Sequence, residues 1–373
     1  MNKKKVIVGL SGGVDSAVAA IRLLEEGYEV EGMFMRNWDS SLNNDIMGNP
    51  HVYDPVCPQE NDYMDAVECA RILGIKLHRV DFVQEYWDKV FTYFLEEYRK
   101  NRTPNPDILC NKEIKFKCFL EKAFEMGADY IAMGHYARVR HQPKVELLRG
   151  VDSAKDQSYF LCQLTKDQLA KTLFPIGDLH KTEVRRIAEE WKLNVARKKD
   201  STGVCFIGER DFKEFLKNYL PAKPGNIETL AGEVVGKHEG TMYYTIGQRH
   251  GLGLGGAGEP WFVVGKDVRR NVLLVGRGAE QEILYSNRAI VTDVNWLGED
   301  FSERECSVKF RYRSRDVKAG IKRIDEKTIE VFYPGRAKAV TPGQAAVFYD
   351  GDVVLGGGTI DKVYMDGELR PYA

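Results

Sequence analysis

The sequence VIVGLSGGVDSAVAA, residues 6–20, holds the most informative pattern in this chain of 373 residues. An apolar run, Val6–Val8, is followed by the small residues Ser11–Gly13 and then by an alanine-rich stretch that opens at Asp15. This order predicts a buried strand, a tight loop and a helix. Glycines let backbone N–H groups approach an anion closely, and the start of the helix turns its positive end toward it. The sequence therefore predicts a loop that holds phosphate.

The loop differs from the two common phosphate-binding motifs. The G-x-x-x-x-G-K-[ST] motif needs a lysine before its final hydroxyl, and Asp15 takes that place before Ser16. The residues do not fit G-x-G-x-x-G either. A carboxylate beside a polyphosphate indicates that Mg²⁺ lies between them, so we expect Mg²⁺ together with a nucleotide. The segment resembles the PP-loop of ATP pyrophosphatases, enzymes that split ATP into AMP and pyrophosphate to activate a carbonyl oxygen by adenylation.

The length exceeds what one core usually supports, so we expect two or three domains. A hydrophobic content of 43% and a charged content of 29% are typical of a soluble protein. The basic start is followed by an apolar run, Val6–Leu10, that is too short for a secretory signal, and no run reaches transmembrane length. We therefore expect a cytoplasmic protein that does not associate with a membrane.

The net charge of −1 conceals two strongly basic segments. Residues 99–117 carry six basic residues against two acids, and residues 309–323 carry seven against one. Aromatic residues lie within both segments, namely Phe116, Phe310 and Tyr312. Basic residues attract phosphates and aromatic rings stack on bases, so these segments are typical of RNA sites. A solvated charged surface is the alternative, and both interpretations stay open at this point.

The first half alternates strand-like and helix-like segments, which predicts an α/β domain with a parallel sheet. In such sheets, ligands bind beyond the carboxyl ends of the strands. Met35 is expected to pack against an adenine face, and Gly134 to leave room for the nucleotide. The predicted strands are Lys5–Leu10, Glu29–Met35, Leu77–Asp81 and Tyr130–Met133, and the predicted helices are Ala17–Glu25, Asn61–Leu73 and Ile114–Met126.

The second half differs from the first in composition and pattern, with many glycines and short β-like segments. Pro221–Gly225 predicts a domain boundary. Two small β-rich modules are expected after it, the last of them a barrel. Residues 307–313 alternate, which predicts a strand with Val308, Phe310 and Tyr312 on one face and basic residues on the other. The predicted strands are Gly232–Val235, Met242–Ile246, Trp261–Asp267, Asn271–Val275, Ala289–Val294, Cys306–Tyr312, Lys327–Phe332, Gln344–Tyr349 and Val353–Ile360.

The seven cysteines show no C-x-x-C pair and no Cys/His metal spacing, so we expect neither a zinc site nor a structural disulfide framework. Cys110 and Cys205 stand in loop-like surroundings with basic neighbours, which favour a reactive thiolate. Cys69 and Cys118 fall on helical stretches and Cys162 in an apolar run, where a cysteine is usually inert. From local sequence alone, an inert role for Cys110 and Cys205 stays open as well.

Eight motifs, in order along nearly the whole chain, resemble those of the bacterial tRNA-specific 2-thiouridylase (MnmA) family. The resemblance implies a PP-loop catalytic domain at residues 1–208, a central β-rich domain at 209–283 and a C-terminal β-barrel that contacts tRNA at 284–373. The motifs are Ser11–Ser16, Asn105–Phe116, Gly134–Tyr136, Lys155–Tyr159, Phe174–Gly177, Asp200–Glu209, Tyr244–Gly253 and Phe310–Arg313.

The resemblance also implies roles for individual residues. Cys110 corresponds to the catalytic nucleophile, and Cys205 to the cysteine that carries a persulfide. The family makes 2-thiouridine at the wobble position of tRNA(Lys), tRNA(Glu) and tRNA(Gln). ATP would be bound by Gly9, Leu10, Ser11, Gly12, Gly13, Val14, Asp15, Ser16, Met35 and Gly134; the target uridine by Asn105, Pro106 and Asp107; and other parts of the tRNA by Asp156, Gln157, Ser158, Tyr312 and Arg313.

The phosphate loop and the two cysteines match the steps that thiolation of uridine requires. The C2 oxygen of uracil is a poor leaving group, and adenylation converts it into part of a departing AMP. A persulfide then supplies sulfur, received from a cysteine desulfurase or a sulfur-relay protein, and Cys110 and Cys205 are expected to end as a disulfide that must be reduced. Asp107, three residues before Cys110, is placed to transfer protons. Two alternatives are a PP-loop amide-forming ligase, which needs no cysteine pair, and a nucleotide-regulated RNA-binding protein.

Overall fold

The structure is a computed structural model that describes residues 3–54, 56, 58–200, 207–208, 210–221, 223–255 and 258–372. The chain divides into two compact units. The first comprises Met1–Phe91, Pro106–Phe215 and Asp352–Val354, and the second comprises Thr92–Asn105, Leu216–Gly351 and Leu355–Ala373. Within the described ranges, no helix is both long and apolar enough to cross a membrane.

The first unit is built on a parallel sheet, as the sequence predicts. Its five described strands lie in the order β3-β2-β1-β4-β7, and each neighbouring pair is parallel. A hairpin of β5 and β6 accompanies the sheet, and Val353 pairs with Leu148 of this hairpin. The strands are β1 (Lys5–Gly9), β2 (Glu29–Arg36), β3 (Leu77–Asp81), β4 (Tyr130–Ala132), β5 (Ala137–Arg140), β6 (Glu146–Arg149) and β7 (Thr172–Leu173).

The helices of the chain are numbered in sequence order. α1 (Val14–Glu25) and α8 (Lys181–Glu190) share the apolar core that covers one face of β1. The alanines of α1 are fully buried there, because small side chains let the helix approach the sheet closely. The other helices are α2 (Pro58–Leu73), α3 (Val83–Tyr86), α4 (Thr92–Arg99), α5 (Pro106–Leu109), α6 (Phe119–Glu125), α7 (Lys166–Ala170) and α9 (Phe212–Lys217), with π-helical turns at Trp87–Phe91 and Cys110–Cys118.

One helix starts earlier than predicted, and this corrects the surroundings of Cys110. The expected helix at Ile114–Met126 is preceded by α5 and by the π-helical segment Cys110–Cys118, which leads directly into α6. Proline is favoured at the first helical position, and residues 107–126 contain no glycine or proline to interrupt the helix. Cys110 therefore lies in helical structure and not in a loop. π-helical turns are rare and often mark functional sites.

The second unit contains a small sheet and a barrel, and both were predicted as β-rich modules. The small sheet has the order β10-β11-β8-β9. Six other described strands close a barrel in the order β12-β15-β14-β13-β16-β17, with β17 pairing back to β12. The strands are β8 (Gly225–Thr229), β9 (Val234–His238), β10 (Phe262–Asp267), β11 (Val272–Gly276), β12 (Tyr285–Trp296), β13 (Glu303–Lys309), β14 (Val317–Asp325), β15 (Thr328–Lys338), β16 (Ala345–Asp350), β17 (Val353–Met365) and β18 (Glu368–Leu369).

Several strand predictions in this half were wrong or incomplete, and β8 (Gly225–Thr229) was not predicted. The expected strand at Met242–Ile246 is a 3-10 turn, Thr241–Tyr243, and β14 was not predicted because its apolar residues Ala319 and Ile321 lie among lysines and arginines. The alternation at residues 307–313 holds for the buried Val308 and Phe310, but β13 ends at Lys309. The chain then turns, with the Ser314 N–H donating to the Arg311 carbonyl at 3.0 Å.

A buried lysine in the second unit predicts a pH dependence of stability. Lys266 of β10 is 5% exposed, and its Nζ donates to the Asn101 carbonyl at 2.7 Å. Burial lowers the pKa of Lys266 to about 7 from the ordinary 10.5. The unfolded chain binds this proton more tightly, so the free energy of unfolding is expected to rise between about pH 7 and 10.5, with a slope of up to about 1.4 kcal/mol per pH unit.

Denaturant unfolding at several pH values measures this contribution. Lys266→Met is expected to flatten the rise, whereas Lys237→Met, a change at an exposed lysine of β9, is expected to keep it. Equal slopes in the wild type and Lys266→Met would show that Lys266 keeps its proton in the folded state.

Candidate active site

The predicted phosphate loop connects β1 to α1 and gathers amide and hydroxyl groups at the start of the helix. Gly13 precedes the helix and offers no side-chain cap, so the N–H groups of the first turn face outward without one. Ser16 Oγ accepts from the Ser11 N–H at 3.1 Å and donates to the Gly13 carbonyl at 3.0 Å. The two serine hydroxyl oxygens lie 3.1 Å apart. Hydroxyl and amide donors therefore gather at the positive end of a 12-residue helix, as anion binding requires.

Close backbone approaches explain the glycines of this site. Gly12 has a φ of +74°, and a Cβ there would lie 2.0 Å from the Asp62 carbonyl oxygen. A Cβ on Gly134 would lie 2.7 Å from the Ser16 nitrogen. Both positions therefore require glycine.

The predicted nucleotide residues come together at one edge of the sheet. Gly134 follows β4 and lies against the start of α1, and a Cβ on Gly9 would lie 2.6 Å from Met133 Sδ and 3.6 Å from Met35 Cε. The carboxyl ends of β1, β2 and β4 thus bring the loop, Met35 and Gly134 into one site. Met133 joins them as an apolar neighbour that the sequence interpretation did not single out.

A lysine reaches the loop from a distant part of the sequence. Lys181, the first residue of α8, places Nζ 2.7 and 2.9 Å from the two carboxylate oxygens of Asp15. Tyr136 donates its hydroxyl to Asp15 at 2.8 Å, and burial together with the Asp15 charge raises the pKa of Tyr136 well above its ordinary value. From the sequence, Asp15 is expected to face a metal ion. In the structure its carboxylate is held by an ammonium and a phenol.

A second lysine fastens the loop to α2. Lys198 Nζ donates to the Gly12 carbonyl at 3.0 Å and to carboxylate oxygens of Asp62 and Asp65 at 2.7 Å each. Burial opposes protonation, but these two carboxylates raise the pKa of Lys198 above its ordinary value. Lys198 therefore carries a full positive charge beside the loop and holds the backbone of Gly12 in place.

Asp200 closes a network of charges around Lys181. Its carboxylate accepts from Lys155 at 2.7 Å, from Lys181 at 2.8 Å and from Arg185 at 3.1 Å. Burial acts to raise the pKa of Asp200, but the lysine hydrogen bonds outweigh it and lower the pKa to about 2. The carboxylates of Asp15 and Asp200 thus share three cations, whereas Lys198 faces two carboxylates, so the charges around the loop balance. Lys181 and Lys198 still place two ammonium groups beside the loop, where a polyphosphate would be attracted to them.

Cys110 is a buried cysteine at the first position of the π-helical segment. Asp107 lies three residues earlier in α5, a spacing that places both side chains on one helical face. Asn111 fixes the segment, since its Nδ2 donates to the Phe160 carbonyl at 3.1 Å. Cys205 lies outside the described residues, as does any pairing with it.

Three other described cysteines fit inert roles. Cys69 lies in α2, Cys162 follows a 3-10 turn, and burial raises the pKa of both thiols to about 12. Burial likewise raises the pKa of Cys306 in the barrel to about 12. These three thiols stay protonated at neutral pH.

The expected RNA residues occupy different settings. Asp156 and Ser158 are buried, and Asp156 Oδ1 accepts from the N–H groups of Gly150 at 3.0 Å and Ser158 at 3.1 Å. Gln157 Oε1 accepts from the Tyr136 N–H at 3.0 Å. Within the first unit, these side chains therefore shape the turn that carries Tyr136.

The residues expected to contact tRNA at the barrel and at the target uridine are exposed or half-buried. In the second unit, Arg313 is exposed and Tyr312 half-buried in the turn after β13. Asn105 is half-buried at the last position of the segment Thr92–Asn105 of the second unit, and Pro106 opens α5 of the first.

The oxygen donors near the loop include the Asp15 carboxylate. Among the described residues, no group of three or more His, Cys, Asp or Glu side chains is placed to hold one. Mg²⁺ in nucleotide sites is commonly held by one or two carboxylates, phosphate oxygens and water. Asp15 offers one such carboxylate next to the phosphate loop, so these residues fit a magnesium ion that arrives with a nucleotide and not an all-protein metal site.

Comparison with known proteins gives matches along nearly the whole chain. Family models described as tRNA methyl transferase HUP domain, tRNA methyl transferase PRC-barrel domain and aminomethyltransferase beta-barrel domain match residues 4–209, 213–277 and 286–360. A protein of Mesoplasma florum named tRNA-specific 2-thiouridylase MnmA is 59% identical over 97% of this chain and 100% of its own length. Proteins of the same name from Acholeplasma laidlawii and Bacillus cytotoxicus are 57% and 54% identical, cover all of this chain, and are themselves covered over 100% and 98% of their length.

Proposed function

The chain belongs to the tRNA-specific 2-thiouridylase MnmA family, and from this premise we propose that it adenylates O2 of the wobble uridine of tRNA with ATP and replaces that oxygen by sulfur. The observation that carries the proposal is the phosphate loop with Lys181 and Lys198 beside it. We further propose the substrates tRNA(Lys), tRNA(Glu) and tRNA(Gln), a persulfide donor of the cysteine desulfurase or sulfur-relay class, a cytoplasmic location, and domains at residues 1–208, 209–283 and 284–373.

The loop would bind the triphosphate of ATP. Ser11, Ser16 and the N–H groups at the start of α1 would donate to phosphate oxygens, and Gly134, which lacks a Cβ, lets the backbone of Asp15 and Ser16 approach it closely. Met35, near Met133 and Gly9, supplies an apolar surface for the adenine. Lys181 stabilises the charge that develops when pyrophosphate leaves. The proposed ATP residues remain Gly9, Leu10, Ser11, Gly12, Gly13, Val14, Asp15, Ser16, Met35 and Gly134.

Asp15 has two tasks in this proposal. It holds Lys181 at the loop, and it is the residue that would bind Mg²⁺. When bound, Mg²⁺ neutralises and orients the phosphate oxygens. Tyr136 keeps the Asp15 carboxylate in a fixed orientation through its hydroxyl hydrogen bond.

Sulfur transfer would then proceed through the two cysteines. The terminal sulfur of a persulfide on Cys205 forms a bond to C2 of the activated base, and the C2–O bond breaks with departure of AMP. Cys110 thiolate attacks the remaining Cys205 sulfur, or releases the sulfide before attack, and either order leaves a disulfide. An external thiol must return two electrons before the next turnover. Asp107 accepts or donates the protons of this exchange.

The tRNA contacts are proposed in three groups. Asn105, Pro106 and Asp107 would contact the target uridine, and Tyr312 and Arg313 the tRNA at the barrel. Asp156 and Ser158 are buried, so we propose that the segment Asp156, Gln157 and Ser158 acts through its fixed shape and through the half-buried Gln157.

Release of pyrophosphate tests the first half of this reaction. With ATP and Mg²⁺ but no sulfur source, a transcript of tRNA(Glu) is expected to stimulate formation of AMP and pyrophosphate up to about one equivalent of enzyme, because the adenylated base has no sulfur to accept. A matched transcript with guanosine at the wobble position is expected to give none. Equal release with both transcripts, or without RNA, would contradict adenylation of the wobble uridine.

A further inference from the structure

Exposed apolar side chains are concentrated in one part of the first unit, between the end of β2 and the middle of α2. Among the described residues, sixteen large apolar side chains are strongly exposed, and eight of them lie within residues 42–67. The eight are Leu42, Ile46, Met47, Val52, Tyr53, Val56, Met64 and Val67. Tyr53 is 94% exposed and Leu42 is 75% exposed. Such a concentration of apolar side chains in water is typical of an interaction surface.

The apolar loop, residues 38–54, is held from within by a buried ion pair. The buried carboxylate of Asp45 accepts from Arg210 at 2.7 Å and from Trp38 Nε1 at 3.0 Å. Asn49 Nδ2 donates to the Asp45 carbonyl at 3.1 Å, and the His51 N–H donates to Asn49 Oδ1 at 2.9 Å. The polar groups of the loop therefore bond inward, while its apolar side chains stay outside.

The back of the apolar loop packs on other elements of the first unit. The Gly48 carbonyl accepts from the Asp211 N–H at 2.9 Å, and a Cβ on Gly48 would lie 2.4 Å from the Asp211 carbonyl oxygen. The ring of Trp38 packs edge-on against that of Phe91, with 4.9 Å between the ring centroids. The exposed apolar side chains therefore belong to a surface that is fixed from behind.

The charges of this region do not suit a nucleic acid. Residues 37–70 contain seven acids and no lysine or arginine. The cations that reach these acids from other segments are already paired. Arg36 pairs with Asp39, Arg71 with Glu68, Arg79 with Glu60, Lys198 with Asp62 and Asp65, and Arg210 with Asp45. Nucleic acids are held by lysines and arginines that pair with phosphate, so this surface instead fits a protein with apolar and basic side chains.

The same region borders the phosphate loop. A Cβ on Gly12 would lie 2.0 Å from the Asp62 carbonyl oxygen, so the backbone of α2 lies directly against the loop. Lys198 joins the Gly12 carbonyl to the carboxylates of Asp62 and Asp65. The exposed Met64 stands between these two acids in the sequence. A partner on this surface would therefore be beside the proposed site of ATP chemistry.

We propose that the apolar loop, together with Met64 and Val67 of α2, is the docking surface for the protein that delivers sulfur. The proposal rests on the proposed function, in which the macromolecular partners are tRNA and a persulfide donor. The charges disfavour tRNA, and the position beside the phosphate loop suits a donor that must pass sulfur to this site. The donor taken here is a cysteine desulfurase, because it needs no further protein between free cysteine and this enzyme.

The test compares two sulfur sources for the full-length protein with tRNA(Glu) transcript, ATP and Mg²⁺. One source is the purified cysteine desulfurase of the same organism with L-cysteine, and the other is sodium polysulfide, which donates sulfur to thiols without docking. The triple variant Leu42→Ser, Ile46→Ser, Tyr53→Ser is expected to raise the KM for the desulfurase by about tenfold or more, with kcat unchanged. With polysulfide, the variant is expected to form 2-thiouridine at the wild-type rate.

The matched control changes three exposed apolar residues of the second unit in the same way. Val268→Ser, Ile324→Ser, Leu369→Ser replaces side chains that are 48%, 54% and 60% exposed. This variant is expected to keep the wild-type KM for the desulfurase.

An unchanged KM in the first triple variant, an equal loss with both sulfur sources, or a loss of tRNA affinity in filter binding would overturn the docking surface. A wild-type dimer that becomes a monomer in the variant, measured by light scattering, would overturn it too, because the occupant would then be a second copy. A wild type that uses polysulfide but not the desulfurase would overturn docking of this donor and leave the proposed function standing. No 2-thiouridine from either source would overturn the proposed function and this proposal with it.

Discussion

Cys205→Ser is expected to abolish formation of 2-thiouridine while tRNA-dependent release of pyrophosphate remains measurable. Serine cannot carry a persulfide, so the activated base receives no sulfur, whereas the phosphate loop and its lysines are untouched. Cys110→Ser is expected to stop multiple turnover too, because the remaining Cys205 sulfur then has no partner thiolate. Thiolated nucleoside and pyrophosphate are measured in the same reaction.

Cys306→Ser is the control for this experiment. Cys306 lies in the barrel strand β13, and burial raises the pKa of its thiol to about 12, so it is not expected to take part in exchange. Its variant is expected to keep full activity. Full turnover by Cys205→Ser would instead favour a PP-loop amide-forming ligase, which needs no cysteine pair.

Asp15→Asn is expected to lower tRNA-dependent pyrophosphate release by roughly 10²-fold while tRNA affinity is unchanged. The amide cannot neutralise Lys181, which Asp15 holds at 2.7 and 2.9 Å, and it is a poorer ligand for Mg²⁺. Glu25→Gln, at the other end of α1, makes the same change of charge and is expected to have wild-type activity. Rapid kinetics and filter binding give the two quantities.

The same variant separates an enzyme from a binding protein. A nucleotide-regulated RNA-binding protein would form no AMP in the wild type and would have no turnover for Asp15→Asn to remove. Loss of tRNA affinity in parallel with turnover would show that Asp15 supports RNA binding or folding and not nucleotide chemistry.

Sequence patterns predicted the local parts of this molecule well. The apolar run at Val6–Val8, the glycines and the alanine-rich stretch after Asp15 act within a few residues, so β1, the loop and α1 follow from short-range preferences. Periodicity also located β2, β3 and β4, and the carboxyl ends of β2 and β4 join that of β1 in gathering the expected nucleotide residues. Family resemblance, and not periodicity, gave the cysteine roles.

The charged partners of the loop were not predictable in this way. Lys181 and Lys198 lie more than 160 residues after Asp15 and Gly12, and no local spacing joins them. Only the fold brings α8 and the residues after it to the loop, so their roles needed the structure. The helical setting of Cys110 was missed for a different reason, because the proline-bearing sequence before it resembles a turn, although proline also starts helices.

Product analysis is the decisive measurement. The protein is incubated with tRNA(Glu) transcript, ATP, Mg²⁺, a reducing thiol and a competent persulfide donor, and the RNA is digested to nucleosides for mass spectrometry. 2-Thiouridine from the wobble position is expected, with one AMP and one pyrophosphate for each sulfur incorporated. Absence of 2-thiouridine under these conditions, with the donor shown to be active, would contradict the assignment of this chain as a tRNA 2-thiouridylase.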